Sequence, residues 1–581
     1  MADQRHHAPW VTATFIILTA ISGAIATAAP TAQAAAGWPE FSHRFVEEYF
    51  RTHPFFAVQA GRHEFDGQMP DLSAAGIAAV AARLEALRGE AAAFDPASLS
   101  AAERFEREYL LAVIDGELFW LERARSPFTN PAWYIERLDP DVYLNRDYAP
   151  LERRMRGYIG YARSIPKIAA DIRANLHTPL PPTFIKRGID GFGGFAEFFR
   201  NDAARVFAAV ADPAAQKELA DADAAAARAM AELKSWFEHE GVHAGGEFAL
   251  GEAQFLEMLK ANERVEIPIE QLLAVGRADL ERNSEALKAA CARYLPHKSV
   301  TACVAQMQAH KPEGGAVEGA RAELARLRGF VREKNLLSIP SDEQALVAEA
   351  PPYNRANAAY ISVPGPFDKH VASTYYIAPP DPSWSASERA EYVPGRAKLL
   401  YTSVHEVWPG HFLQFLHSNR NPSQIAALWV GYAYAEGWAH YTEEMMWEAG
   451  LGNGDPEQHV GQLVEALLRD VRFMCAIGLH TRGMTVGEAE KLFRERGGQD
   501  PGDARQQAAR GTYDPLYLAY TLGKLMIRKL RADWLATHAA SASGAEPRAG
   551  WHEFHDRFLS YGGPPIPLVR KAMVGEGGSL L

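Results

Sequence analysis

The chain has 581 residues, 48% of them hydrophobic, which is ample for a large buried core. Its formal net charge is −12, with 60 Lys and Arg against 72 Asp and Glu and no dense basic tract. That balance argues against nucleic acid as a main partner and suits a soluble protein.

The first segment carries Arg5, His6 and His7, an apolar run from about Val11 to Ala29, and the small-x-small site Ala32-Gln33-Ala34. This order predicts a secretory signal peptide over 1–34. The apolar run approaches the length of a membrane span, but its Gly, Thr and Ser content and the adjacent cleavage site favour removal. No cysteine follows the run, so no lipid anchor and no stable membrane association after processing are expected. The mature chain is then exported, to the periplasm of a two-membrane cell. No long linker and no fixed-period repeat divides residues 35–581, so one catalytic unit is expected there, with room for two lobes around a cleft.

The first half reads as helices. Ala-rich segments at 74–94 and 202–239 have high helix propensity, with Pro213 breaking the second. Ser100-Ala-Ala-Glu103 is a capping box ahead of a periodic run to about Arg123. Segments 253–293 and 316–334 continue in the same style. Cys291 and Cys303 could pair across a short loop, leaving Cys475 in an apolar context, and the sequence leaves this open. Between Pro351 and Pro382 the texture changes: Ala358–Pro364 and Ser373–Pro379 are short, aromatic and β-branched, which are strand signals. A small sheet is expected there, just ahead of the next helix. It either offers an edge strand to a substrate backbone or merely covers one face of the core.

Next comes His405-Glu406-Val407-Trp408-Pro409-Gly410-His411. In the H-E-x-x-H zinc signature two histidines four apart on one helix reach one metal, and the glutamate handles the attacking water. Here the spacing is six, and at about 100° per residue an unbroken helix would turn the rings to different sides. Pro409 removes a backbone donor and Gly410 accepts almost any dihedral, so a break there could return His411 towards His405. A catalytic zinc usually has three protein ligands. Glu436 interrupts the most apolar part of a helix read over 429–448, where an unpartnered carboxylate would be costly. His440 lies one turn on and shares its face; it is read as a core histidine, with an orienting role as the alternative.

His405-Glu406-x-x-Pro409-Gly410-His411-x-x-Gln414 followed by Glu436-Gly437-Trp438-x-x-Tyr441-x-Glu443 resembles the bacterial family called domain of unknown function 885. Softer matches lie at both ends: Pro54-x-x-Ala57-x-x-x-Gly61-x-His63-x-x-Asp66, Tyr520-x-x-Gly523-Lys524, and Phe554-His555 through Pro565. The resemblance implies a large, mostly helical, gluzincin-like zinc hydrolase, similar in outline to the thimet-oligopeptidase group. By motif, His405, His411 and Glu436 would hold Zn(2+) and Glu406 would be the base. One departure is Pro515-Leu516-Tyr517-Leu518, where family members often read Pro-Gly-Gln-Ala, so a substrate contact by that Gln is not expected here.

Towards the end, Thr485-Val-Gly-Glu488 is a second capping box, and Pro515 suits the first turn of a helix to about His538. The oxyanion of a hydrolytic step needs a further donor. Tyr520 is the candidate, with Tyr513, His480 and Arg510 as alternatives. The function expected is a zinc metallopeptidase cleaving peptide bonds with metal-activated water. An amidase or deacylase on a non-peptide amide is one rival, and a non-catalytic helical binding protein with a structural metal is the other. Glu406 favours hydrolysis, because a closed structural site needs no general base.

Overall fold

The computed structural model describes residues 37–351, 355, 358–380, 382, 385–538 and 548–581; the expected signal peptide lies outside them. Helix starts fall where capping side chains and prolines put them. The Ser100 hydroxyl accepts from Glu103 N while Glu103 reaches back to the Ser100 amide, opening α1, Ala101–Leu118, which runs on as a π-turn to Arg123. Asp212 caps and Pro213 opens α2, Pro213–Glu240, so that proline begins a helix as well as ending the stretch before it. Segment 253–293 resolves into two helices: Glu252–Glu263 stops at Arg264 in left-handed geometry, and α3, Ile269–Tyr294, starts after Pro268. Cys291 at the end of α3 is disulfide-bonded to Cys303, and Cys475 is buried and unpaired. Thr485 likewise forms the expected capping box with Glu488.

The two expected strands are present, and a third precedes them. β1, Leu346–Glu349, β2, Ala359–Ser362, and β3, Thr374–Ile377, form a sheet in the order β1-β3-β2. β2 is antiparallel to β3 and β1 is parallel to it, so β2 is an edge and β3 is central. β1 reads Leu-Val-Ala-Glu, with one β-branched residue and no aromatic, and so carries little strand signal. The fold is thus mainly helical with one small sheet.

The remaining helices that matter are α4, Arg396–Glu406; α5, His411–Ser418; α6, Tyr432–Glu448; α7, Pro456–Thr481; and α8, Ala519–His538. Together with α3 they enclose the largest apolar core, and separate cores form around α2 and around the N-terminal helices. α6 and α8 cross at Gly437 and Gly523, where a Cβ on either residue would run into the other backbone. Glycine is required at this crossing because the backbones touch. Next to Gly523 in the chain, the fully buried Lys524 of α8 pairs with Asp279 of α3 and lies 3.8 Å from Asp470 of α7 and 4.0 Å from Glu444 of α6. This network ties four helices together beneath the site. No helix among the described residues is long and apolar enough to cross a membrane.

Candidate metal centre

The expected helix break is where the sequence places it. α4 ends at Glu406, Val407 leaves helical geometry, the Trp408–Pro409 bond is cis, and α5 begins at His411. Gly410 packs so closely on the end of α4 that a Cβ would strike the carbonyl oxygen of His405, while its own N–H donates to Val404 O at 3.0 Å. Trp438 of α6 donates its indole N–H to Pro409 O at 2.9 Å, so the tryptophan of the Glu-Gly-Trp run holds the turn in place.

The break brings both imidazoles to one carboxylate. His405 Nε2 lies 3.2 Å and His411 Nε2 3.3 Å from the same oxygen, Glu436 Oε2, and the two rings stand nearly perpendicular with centroids 4.8 Å apart. One ligand atom from each of the three residues lies within 4.8 Å of the others. Ligands about 2.1 Å from a tetrahedral zinc stand roughly 3.4 Å from each other, so these separations suit a shared ion. The electrostatics agree. Glu436 is held well below the usual carboxylate range: burial alone would raise it, and the charges and hydrogen bonds of His411 and His405 overcome that.

Glu443, fully buried and two helical turns beyond Glu436, fixes the tautomer of His405. His405 Nδ1 lies 2.7 Å from Glu443 Oε1, so in the neutral ring Nδ1–H donates there and the Nε2 lone pair faces Glu436 and His411. Without a cation, His405 is protonated and its Nε2–H donates to Glu436 Oε2 at 3.2 Å; burial disfavours that charge, and the contacts to Glu436 and Glu443 outweigh it. Two imidazole nitrogens and a carboxylate oxygen at these separations are a donor set that fits a borderline-soft ion such as zinc. Arg469 of α7 supports Glu443 from behind, 3.3 Å from Oε1, and donates to Glu465 Oε2 at 2.7 Å. His440 is buried, but it is not the satisfied core histidine expected: Nδ1 is 3.5 Å from Glu443 Oε2 and Nε2 has no hydrogen-bond partner among the described residues. Burial pushes it down to about 4, so it stands there neutral.

Glu406 follows His405 and is buried; burial raises its carboxyl, and the charges of His405 and His411 act against that rise. Tyr520 joins the group, its ring nearly parallel to that of His405 with centroids 6.2 Å apart. Its rivals do not. Arg510 stands one layer out, donating to Tyr432 Oη at 2.8 Å and to Asp514 at 2.9 Å. His480 is spent on Gly511 O at 2.8 Å, and Tyr513 packs on Phe184 and Arg187.

A cavity of about 620 Å³ reaches this assembly through Tyr432, which lies one turn before Glu436 on α6 and whose ring centroid is 6.0 Å from that of Tyr520. Phe55, Gln59 and Glu136 join it to a second cavity of about 370 Å³ walled by edge strand β2. The metal-site residues themselves line neither cavity.

The profile of a family described as bacterial protein of unknown function (DUF885) matches residues 54–573. The chain belongs to the DUF885 family. No curated protein matches it. Two solved structures share the DUF885 chain's fold, both provisionally described as lipoproteins. One, of unknown function, from Shewanella oneidensis, is 23% identical, covers 93% of this chain and 100% of its own, and superposes with a TM-score of 0.74. The other, from Colwellia psychrerythraea, is 18% identical over 92% of this chain and 98% of its own, with a TM-score of 0.77. The residues by which this chain resembles DUF885 serve its fold as well as its site: Gly437 and Gly523 set the helix crossing, Trp438 the turn, and Lys524 the buried ion network.

Proposed function

We propose that this chain is an exported zinc-dependent peptidase in which His405, His411 and Glu436 hold the metal and Glu406 is the general base. The observation that carries the reading is the meeting of His405 Nε2 and His411 Nε2 on one oxygen of Glu436, with Glu406 next in the chain. A zinc ion bound there supplies a Lewis acid that polarises a carbonyl and lowers the pKa of a water to about 7.

The chain's own groups do the rest. Glu443 and Arg469 hold His405 in the metal-binding tautomer. Glu406, its carboxyl raised by burial, takes a proton from the attacking water and returns it to the leaving amine. Tyr520, packed against His405, is the candidate donor to the developing oxyanion. Edge strand β2 beside its cavity offers backbone groups to an extended peptide. Two observations support export: both solved relatives are described as lipoproteins, and Cys291–Cys303 is a disulfide, which suits an oxidising compartment such as the periplasm.

The test is metal content and peptide profiling of wild type and Glu406→Gln. The expected result is one zinc per chain in both proteins and cleavage in the wild type alone. Failure of the wild type to bind zinc on reconstitution would sink the reading, and equal cleavage by both would remove Glu406 from the mechanism.

A further inference from the structure

A buried guanidinium is costly without a partner, since it gives up hydration and gains little in return. α7 carries two, one turn apart on one face. Arg469 is paired with Glu465 and Glu443. Arg472 is not. It is 8% exposed, its Nε donates to Gln507 Oε1 at 2.8 Å, and no carboxylate among the described residues pairs with it. Its charged neighbours are Arg510 and Arg469, which are like charges. The remaining compensation is aromatic: Cζ lies 4.9 Å from the centroid of the Tyr520 ring. That same ring stacks on His405. A cation with no carboxylate partner thus stands one aromatic ring away from the proposed metal ligands, with its Nε edge fixed by Gln507 and its terminal nitrogens without an acceptor among the described residues.

We propose that Arg472 anchors a substrate carboxylate, that of a peptide C-terminus, so that the metal centre releases short pieces from the C-terminal end of a chain. This rests on the peptidase reading above. The terminal N–H groups of a guanidinium match the two oxygens of a carboxylate, and the charge buried alone is neutralised only when substrate arrives. The size of the released piece follows from two steps, 6.2 Å from the His405 ring to the Tyr520 ring and 4.9 Å on to the guanidinium. An extended chain covers about 3.3–3.6 Å per residue, so the leaving piece has one to three residues.

The experiment compares three peptides on the zinc-loaded full chain: a free acid, its C-terminal amide, and an amide with glutamate in last place. Wild type is expected to favour the free acid by about tenfold or more in kcat/KM, carried by KM, as one charge-assisted pair can supply. Arg472→Gln should bring the ratio of acid to amide close to one, and Arg472→Lys should restore part of it. Equal use of acid and amide by wild type, or a preference that survives Arg472→Gln, would overturn the assignment. Efficient cleavage of the glutamate-ended amide would overturn recognition of the chain end, because a side-chain carboxylate would then serve.

A titration separates this proposal from the peptidase reading. N-acetyl-phenylalanine should bind wild type more tightly than its amide does, and Arg472→Gln should abolish the difference; an unchanged difference overturns the anchor even if no peptide is cut. Thermal unfolding supplies the folding control. Removing a buried charge that no carboxylate balances should leave the midpoint of Arg472→Gln unchanged or higher, whereas a clear fall would mark a structural arginine and count against the proposal.

Discussion

Glu443 Oε1 sits 2.7 Å from His405 Nδ1, seven residues beyond Glu436 on the same helix. One helix therefore supplies both Glu436, a proposed metal ligand, and the group that orients His405, the proposed ligand on a neighbouring helix. Outer partners of this kind typically carry a 10–100-fold effect on metal affinity. Glu443→Gln should accordingly raise the zinc Kd by about 10–100-fold while the circular dichroism spectrum stays native, because Gln keeps the shape and loses the charge. Competition with a graded series of chelators measures this, and an unchanged Kd would show that Glu443 serves packing alone.

The contact of Gly437 with Gly523 leads to a prediction about stability rather than chemistry. A methyl group at 523 would meet the carbonyl of Ala433 and the Cα of Gly437, both backbone atoms that cannot turn aside. Overpacking of this kind costs about 1–3 kcal/mol. Gly523→Ala should lower the thermal midpoint by a few degrees, and because α6 carries Glu436 it should also weaken zinc binding. A midpoint equal to wild type would mean that the two helices separate without cost.

The parts of this site that were legible in the sequence are those in which chemistry and local conformation coincide. Pro409 and Gly410 announced the helix break, and a lone glutamate in an apolar helix announced Glu436. Glu443 could have been found as well, since seven residues bring a side chain back to the same helical face. Arg469 and Arg472 could not be assigned a role in advance. Charged residues inside Leu467-Leu468-Arg469-Asp470-Val471-Arg472-Phe473 signal a buried polar layer, but only the Glu465–Arg469 spacing is local; the remaining partners depend on how other helices pack against α7. β1 is not legible locally for a similar reason: it is held by parallel pairing with a strand 28 residues later, and its own four residues carry little strand propensity.

Glu263 gives a dependence on pH that is independent of the metal. Its Oε1 accepts the Ala433 N–H at 3.0 Å at the start of α6, its Oε2 has no partner among the described residues, and burial raises its carboxyl to about 7. Below the unfolded value of 4.5 both states are protonated and nothing is lost. As pH rises from there the unfolded chain ionises first, so stability falls until about pH 7 and then levels off. The full effect is on the order of 3 kcal/mol at about 1.4 kcal/mol per unit. Glu263→Gln retains the acceptor and cannot ionise, so it should stabilise the protein at pH 8 and make little difference at pH 4. Denaturant midpoints at the two pH values decide the matter, and an equal shift at both would place the cause elsewhere.

Metal removal should be felt by the whole fold, because the three proposed ligands come from α4, α5 and α6 and their meeting point lies against the largest core. An ion that binds only the native state adds stability by mass action, about 2.7 kcal/mol at a free concentration 100 times the Kd. Chelated wild type should therefore melt several degrees below the zinc-loaded form, and the midpoint should climb with the logarithm of added zinc. His411→Ala removes one donor but leaves the Glu443–His405 pair in place, so its chelated midpoint should stay near that of chelated wild type while its response to zinc disappears. A His411→Ala protein whose midpoint still climbs with zinc would show that the stabilising ion binds outside the His405, His411 and Glu436 cluster.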